Sequence, residues 1–259
     1  MNDTHDASDV PIRSVREFGV AGSVPRLVHP EWRERWSWLV QGTTTPGPDR
    51  SWDFGLFGPG AVGRVVGRWE ALLEETDMLS GVHARQRHEA TVRTHAAATP
   101  GLYLCEPADA HATRSARHML AVTVADCVPV FIVAERPRVV AMVHAGWRGA
   151  AAGILERAVA VLQEGFGASP RDLFLHLGPS ICGACYEVGP EVHEALGLTV
   201  PEGPTPVDLP SGLAQRARSV GVPASAVTRS GHCTRCGEVD LFSHRGGDAG
   251  RQIGFIGLR

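Results

Sequence analysis

Three short, nearly continuous apolar stretches dominate the middle of the chain: Met119–Val124, Val128–Ala134 and Arg138–Val143, all rich in valine. Runs of this length with β-branched residues and no polar face predict strands buried on both sides. Upstream, Val62, Val65, Val66, Trp69, Leu72 and Leu73 recur at three- and four-residue intervals within Ala61–Leu79. That is the spacing of one helix face, with Arg64 and Glu74 left for the wet side. Helical spacing returns through Ile154, Leu155, Ala158, Val161 and Leu162, predicting a helix from Ala150 to Gly165. Leu173–Leu177 reads as a strand broken by Gly178-Pro179, and residues 208–220 as a helix opened by Asp208 and closed by Gly221. Gln252–Leu258 is a final strand. Strands and helices interleave without repeat or linker, which predicts a single α/β domain, a layered mixed sheet with flanking helices.

The pattern fades in two places. Residues 1–25 carry few apolar anchors and read as a loosely ordered, flexible leader ahead of a catalytic domain over 26–259. Residues 41–60, dense in glycine, proline and threonine, read as a long loop able to shape a site.

Composition narrows the classes. Hydrophobic residues at 43% and charged residues at 20% are an ordinary globular balance, and a net charge of −3 gives no reason to expect nucleic acid as a partner. The polar, acidic N-terminus has no apolar signal core, and no run approaches the roughly 18 apolar residues of a membrane span. Six cysteines in such a chain read as reduced thiols or metal ligands rather than a disulfide framework, so a cytoplasmic protein is expected.

Two motifs carry chemistry. Ala125-Asp126-Cys127-Val128-Pro129 joins two of the buried strands, and Val143-His144-Ala145-Gly146-Trp147-Arg148-Gly149 turns a strand into a helix. If the strands before these junctions lie side by side, Cys127 and His144 emerge at one sheet edge. Thiolate and imidazole both ligate zinc, and catalytic zinc sites use three protein ligands with one position open. Against this, a lone cysteine after a strand is more often a small buried hydrophobe. The glycines after His144 permit close backbone approach, and Arg148 near a helix start suits an anion. On these residues alone, a site and a structural pair stand level.

With Gly178–Gly189 (GPSICGACYEVG) and the C-terminal CT, LFSHR and GR segments, the two motifs resemble the YfiH-like laccase-domain family over most of the chain. That resemblance implies a third metal ligand, His88, in Gln86-Arg87-His88-Glu89, completing a His88, Cys127, His144 centre for Zn2+. It also implies an enzyme acting on purine nucleosides with phosphate: phosphorolysis of adenosine, inosine or guanosine, cleavage of methylthioadenosine, and adenosine deamination. Arg68 matches a family arginine, and Arg148, Arg245 and Arg251 are candidates for phosphate because guanidinium fits its geometry. Glu89 stands where the family has glycine, and Thr44-Thr45-Pro46-Gly47 lacks the arginine of the family's early loop. His83, just upstream of His88, remains an alternative ligand.

Other readings stay open. Two histidines and a cysteine also suit Cu2+ and a polyphenol oxidase, although the His-x-His pairs of a multicopper cluster are absent. A conventional nucleoside deaminase is excluded, because the His29-Pro30-Glu31 segment lies far ahead of the first Cys-x-x-C pair. That pair, Cys182 and Cys185, has thiol–disulfide redox spacing. With Cys233 and Cys236 it could instead hold a second, structural zinc, although the pairs lie further apart than the about 15–20 residues of a simple ribbon. Cys185 or Cys233 lining a nucleoside pocket is the third possibility.

Overall fold

The computed structural model of the protein describes residues 11–96 and 99–259. Two seven-stranded sheets pack face to face. The first runs β1 (Arg13–Val15), β15 (Val227–Ser230), β12 (Leu173–Leu177), β10 (Val128–Glu135), β11 (Arg138–Ala145), β8 (Ala110–Thr113), β6 (Val92–His95). The second runs β2 (Phe18–Gly19), β3 (Arg26–Val28), β4 (Leu39–Thr44), β16 (Gln252–Leu258), β9 (His118–Val124), β5 (Ser80–Ala84), β7 (Gly101–Cys105). Both mix parallel and antiparallel pairs. A small ribbon, β13 (Glu187–Val188) with β14 (Thr205–Pro206), stands apart.

Among the described residues six α-helices accompany them: α1 (Pro30–Arg35), α2 (Val62–Glu75), α3 (Trp147–Ala151), α4 (Ile154–Phe166), α5 (Pro190–Ala195) and α6 (Leu209–Ser219). Strand periodicity sorts side chains between layers. In β10, Val130, Ile132 and Ala134 pack towards α4 and α6, whereas Phe131 and Val133 pack between the sheets. In β9, Leu120 and Val122 face the inter-sheet core, and Met119 and Ala121 face α2 through Trp69 and Leu72. The order is therefore helices, sheet, sheet, helix, and the expected α/β domain with layered mixed sheets and flanking helices is what forms. Each central strand is buried on both faces, which is why its sequence is apolar without alternation. Among the described residues no helix is long and apolar enough to cross a membrane.

Several local expectations need correction. The helix expected from Ala150 to Gly165 is two helices, because the chain turns left-handed at Gly153 (φ 81°) between α3 and α4. Residues 41–44 are not loop but the end of β4, buried, with 41–43 paired to β16 and Thr44 to β3. Of the leader expected over 1–25, residues 13–24 enter the fold: β1 lies parallel to β15, and Val15 and Val24 are buried. Residues 1–10 of that leader lie outside the described residues. These strands are only two or three residues long, too short for a periodicity to register.

Glu17 shows how firmly this segment is tied. Its buried carboxylate sits 2.8 Å from His176 Nε2 and accepts from Ser230 Oγ at 2.8 Å. Burial would raise this carboxyl, but the charge and hydrogen bond of His176 outweigh it and hold it below 4.5. A depressed carboxyl contributes stability above its unfolded pKa and loses it as pH falls through the folded value. Glu17→Ala should therefore cost about 1–3 kcal/mol in urea denaturation at pH 7. The gap between variant and wild type should close as the pH is taken below 4.5.

Candidate metal centre

Cys127 sits on the crossover between the sheets: β9 ends at Val124 in one, and β10 begins at Val128 in the other. The turn is made by Asp126, left-handed at φ 86°. Its carboxylate accepts from Thr234 Oγ1 (2.6 Å), Ser243 Oγ (2.7 Å) and the Arg245 amide (2.7 Å), and its carbonyl accepts from the Ile181 amide (3.0 Å). Asx chemistry of this kind favours a polar residue where a β-branched one would be strained. Antiparallel pairing of β10 with β11 sets Pro129 opposite His144, so Cys127 meets the chain just beyond His144. The strands preceding the two motifs, β9 and β11, belong to different sheets. It is the β10–β11 pairing, rather than a shared edge of the preceding strands, that joins Cys127 and His144.

The loop after β5 brings His88. Asp109, fully buried, accepts three successive amides from it: Arg87 at 3.1 Å, His88 at 2.9 Å and Glu89 at 3.0 Å. His88 itself is left-handed at φ 61°, a conformation held by these bonds. The same carboxylate meets His144 Nδ1 at 2.9 Å, and the Asp109 carbonyl accepts the His144 amide at 2.7 Å. Nδ1 is thus occupied, and Nε2 of His144 is left for the centre. The donor atoms of His88, Cys127 and His144 lie within 4.8 Å of one another, with the imidazole rings edge to face at 4.7 Å.

Electrostatics favour ligation. Enclosure would raise the Cys127 thiol, but His144 and His88 outweigh it and bring it down to about 6. For His144 burial works downward, and the Cys127 and Asp109 charges reverse it to about 9. A thiolate and two imidazoles, one braced from behind by a carboxylate, are the donor set of a three-ligand zinc site with an open position. Gly146 leaves these side chains room: a Cβ there would stand 2.9 Å from Cys127 Sγ and 3.0 Å from His88 Cδ2.

The three residues open into a cavity of about 790 Å³, walled by Leu56, Phe57, His83, Gln86, His244 and Arg251 among others. His83 lines it without joining the metal cluster. Its Nδ1 is 3.3 Å from the Ala121 carbonyl, its buried Nε2 has no partner, and burial lowers its pKa to about 4. Arg251 is held by the carbonyls of Asp248, Ala249 and Gly250. The other arginines expected from the sequence, Arg68, Arg148 and Arg245, lie off the cavity wall. Arg68 donates to the Asp53 carbonyl at 2.6 Å, Arg245 donates to the Glu187 carbonyl at 2.7 Å, and the exposed Arg148 lies 4.2 Å over the Trp147 ring. Arg85, a further cavity residue, and the bracing role of Asp109 were missed in the sequence. The one available signal for Asp109 was an acid flanked by alanines in a segment that becomes buried strand.

The model of a family described as multi-copper polyphenol oxidoreductase laccase matches residues 42–259. The chain belongs to that family. It is 37% identical over 177 residues to the purine nucleoside phosphorylase YlmD of Geobacillus stearothermophilus, covering 63% of this chain and 62% of that protein. It is 37% identical over 151 residues to the adenosine deaminase RL5 of an unknown prokaryotic organism, covering 54% and 57%. The alignments thus span less than two thirds of either relative. The fold matches the crystal structure of the Bacillus licheniformis hypothetical protein YfiH with a TM-score of 0.82, at 27% identity, over 93% of this chain and 99% of that one.

If the geometry is a metal site, its supports are measurable by zinc titration. Asp109→Ala should weaken zinc binding about 10–100-fold, as loss of a carboxylate behind a ligating histidine does. Gly146→Ala should weaken it too, through the intruding methyl. Wild-type affinity in both variants would remove the assignment.

Proposed function

We propose that this chain is a zinc enzyme of purine nucleoside chemistry, cleaving adenosine, inosine, guanosine and methylthioadenosine with phosphate and deaminating adenosine. The observation that carries the reading is the His88, Cys127, His144 cluster opening on a nucleoside-sized cavity. The naming of two relatives as a purine nucleoside phosphorylase and an adenosine deaminase supports the choice of substrate.

Bound zinc supplies Lewis acidity at the cavity wall. In this reading the chain's own groups do the rest. Phosphorolysis replaces the bond from ribose C1′ to the base nitrogen by one to phosphate oxygen, and the departing base takes up the proton that hydrogen phosphate gives up. Arg251, with Arg85, supplies positive charge at the wall for the phosphate. His83 is neutral at pH 7 and adds an uncharged ring to the cavity wall. Phe57 and Leu56 give the base an apolar surface. Arg68 serves as a positioning group, since it braces the Asp53 carbonyl at the head of the loop that walls the cavity. Arg148, stacked on Trp147 in the first turn of α3, adds positive charge outside the cavity wall.

A second reading, copper polyphenol oxidation, draws on the family's description and on a donor set that copper also accepts.

Incubating metal-analysed protein with adenosine, with and without phosphate, separates them. Adenine plus ribose 1-phosphate in the presence of phosphate, with inosine formed in either case, is the expected result. No product from any purine nucleoside, with phenol oxidation by copper-loaded protein, would reverse the reading. Cys127→Ala, His144→Ala and His88→Ala should each lose the zinc of this centre and turnover, while His83→Ala keeps both. Arg251→Met should keep zinc and raise the KM for phosphate about 10–100-fold, the worth of one charged hydrogen bond. Arg148→Met should do so more weakly.

A further inference from the structure

Of the five cysteines outside the cavity, four gather at one place. Cys182 precedes and Cys185 ends a single 3₁₀ turn after β12, while Cys233 and Cys236 follow β15. All four sulfurs fall within 4.8 Å of one another, and Cys182 Sγ and Cys236 Sγ are 3.8 Å apart. No disulfide joins them. A disulfide requires sulfurs at about 2.05 Å. Tetrahedral zinc, with Zn–S near 2.3 Å, places its sulfurs about 3.8 Å apart.

The backbone around the cluster is shaped for such an ion. Cys233 Sγ accepts the amides of Cys182 (3.3 Å) and Arg235 (3.4 Å), donors that stabilise negative charge on sulfur. The second pair wraps into a turn closed by the Gly237 amide on the Cys233 carbonyl at 3.0 Å. Only glycine fits there, since a Cβ at 237 would lie 2.4 Å from that carbonyl oxygen. The fold brings the pairs together through a bridge between Ser180 and Cys233, with the Thr234 amide on the Ser180 carbonyl at 3.1 Å. That answers the long separation in sequence.

We propose that Cys182, Cys185, Cys233 and Cys236 bind a structural zinc ion that clamps two loops around the Asp126 turn. The clamped loops are the ones that grip Asp126: Ile181 donates to its carbonyl and Thr234 to its carboxylate. Asp126 directly precedes Cys127, so the ion steadies the crossover that carries the cavity's thiolate. Four-cysteine zinc sites are closed, with no position open to substrate, and serve structure. The reading differs from a redox pair in requiring all four sulfurs at once.

Zinc counting on protein purified without added metal tests this. Wild type should carry two zinc ions per chain, Cys127→Ala one, and a Cys182→Ala/Cys236→Ala variant one. X-ray absorption on Cys127→Ala, which leaves the four cysteines untouched, should show four sulfur neighbours at about 2.3 Å. If the double variant does not fold, the Cys127→Ala count and its absorption spectrum still decide. One zinc in wild type that disappears in Cys127→Ala overturns the site, as does a Cys182–Cys236 disulfide in the protein as isolated. One zinc that survives in Cys127→Ala but not in the double variant upholds it and instead removes zinc from the proposed catalytic centre. Iron in place of zinc overturns the metal assignment.

Discussion

A single buried carboxylate, Asp109, holds the centre together. It takes three consecutive amides from the Arg87–Glu89 segment and meets His144 Nδ1. A fully buried charge is tolerable only when it is this well satisfied. Burial would push the Asp109 carboxyl up, yet His144 and the amides outweigh it and keep it low. The consequence is mutual dependence. The left-handed backbone of His88, the orientation of His144 and the ionised state of Asp109 each require the other two.

Asp126 plays the complementary part on the far side of Cys127. Its carboxylate and carbonyl gather Ile181, Thr234, Ser243 and Arg245, residues drawn from two distant stretches of chain. Between the two acids the chain passes from one sheet to the other, and Cys127 is set where it crosses. The four-cysteine cluster adjoins this second acid, so both clusters brace the same crossover. The cavity is bounded partly by the residue 55–59 loop and partly by the segment before β16, both anchored through Asp53. Its Oδ1 accepts from Gly55 and Arg251 at 2.8 and 2.9 Å.

The charge arrangement fits a soft, divalent ion without choosing it. A thiol brought to about 6 beside an imidazole raised to about 9 is an ion pair ready to exchange its protons for a metal. The family's description names copper, whereas two relatives carry nucleoside-enzyme names. Two imidazoles and one thiolate serve either metal, so geometry and the cavity's chemistry must discriminate.

Much of the fold was legible in the chain itself. Val128–Ala134, Leu173–Leu177 and Gln252–Leu258 announced strands, because burial on both faces demands continuous apolar residues. The Ala61–Leu79 segment announced a helix, because only one of its faces is buried. Cys127, His144 and the glycine that makes room for them were also visible, since their chemistry is local. Short edge strands such as β1 and β2 were invisible: their pairing partner lies far along the chain, and two or three residues carry no period. The same reason hid Asp109, whose role exists only once β8 lies beside β11, and left the union of Cys182 and Cys185 with Cys233 and Cys236 as one alternative among three. Sequence alone determined which residues can form strands, helices and ligands. Tertiary structure alone decided which meet, because hydrogen-bonded register and sheet-on-sheet packing, not spacing along the chain, set the distances between them.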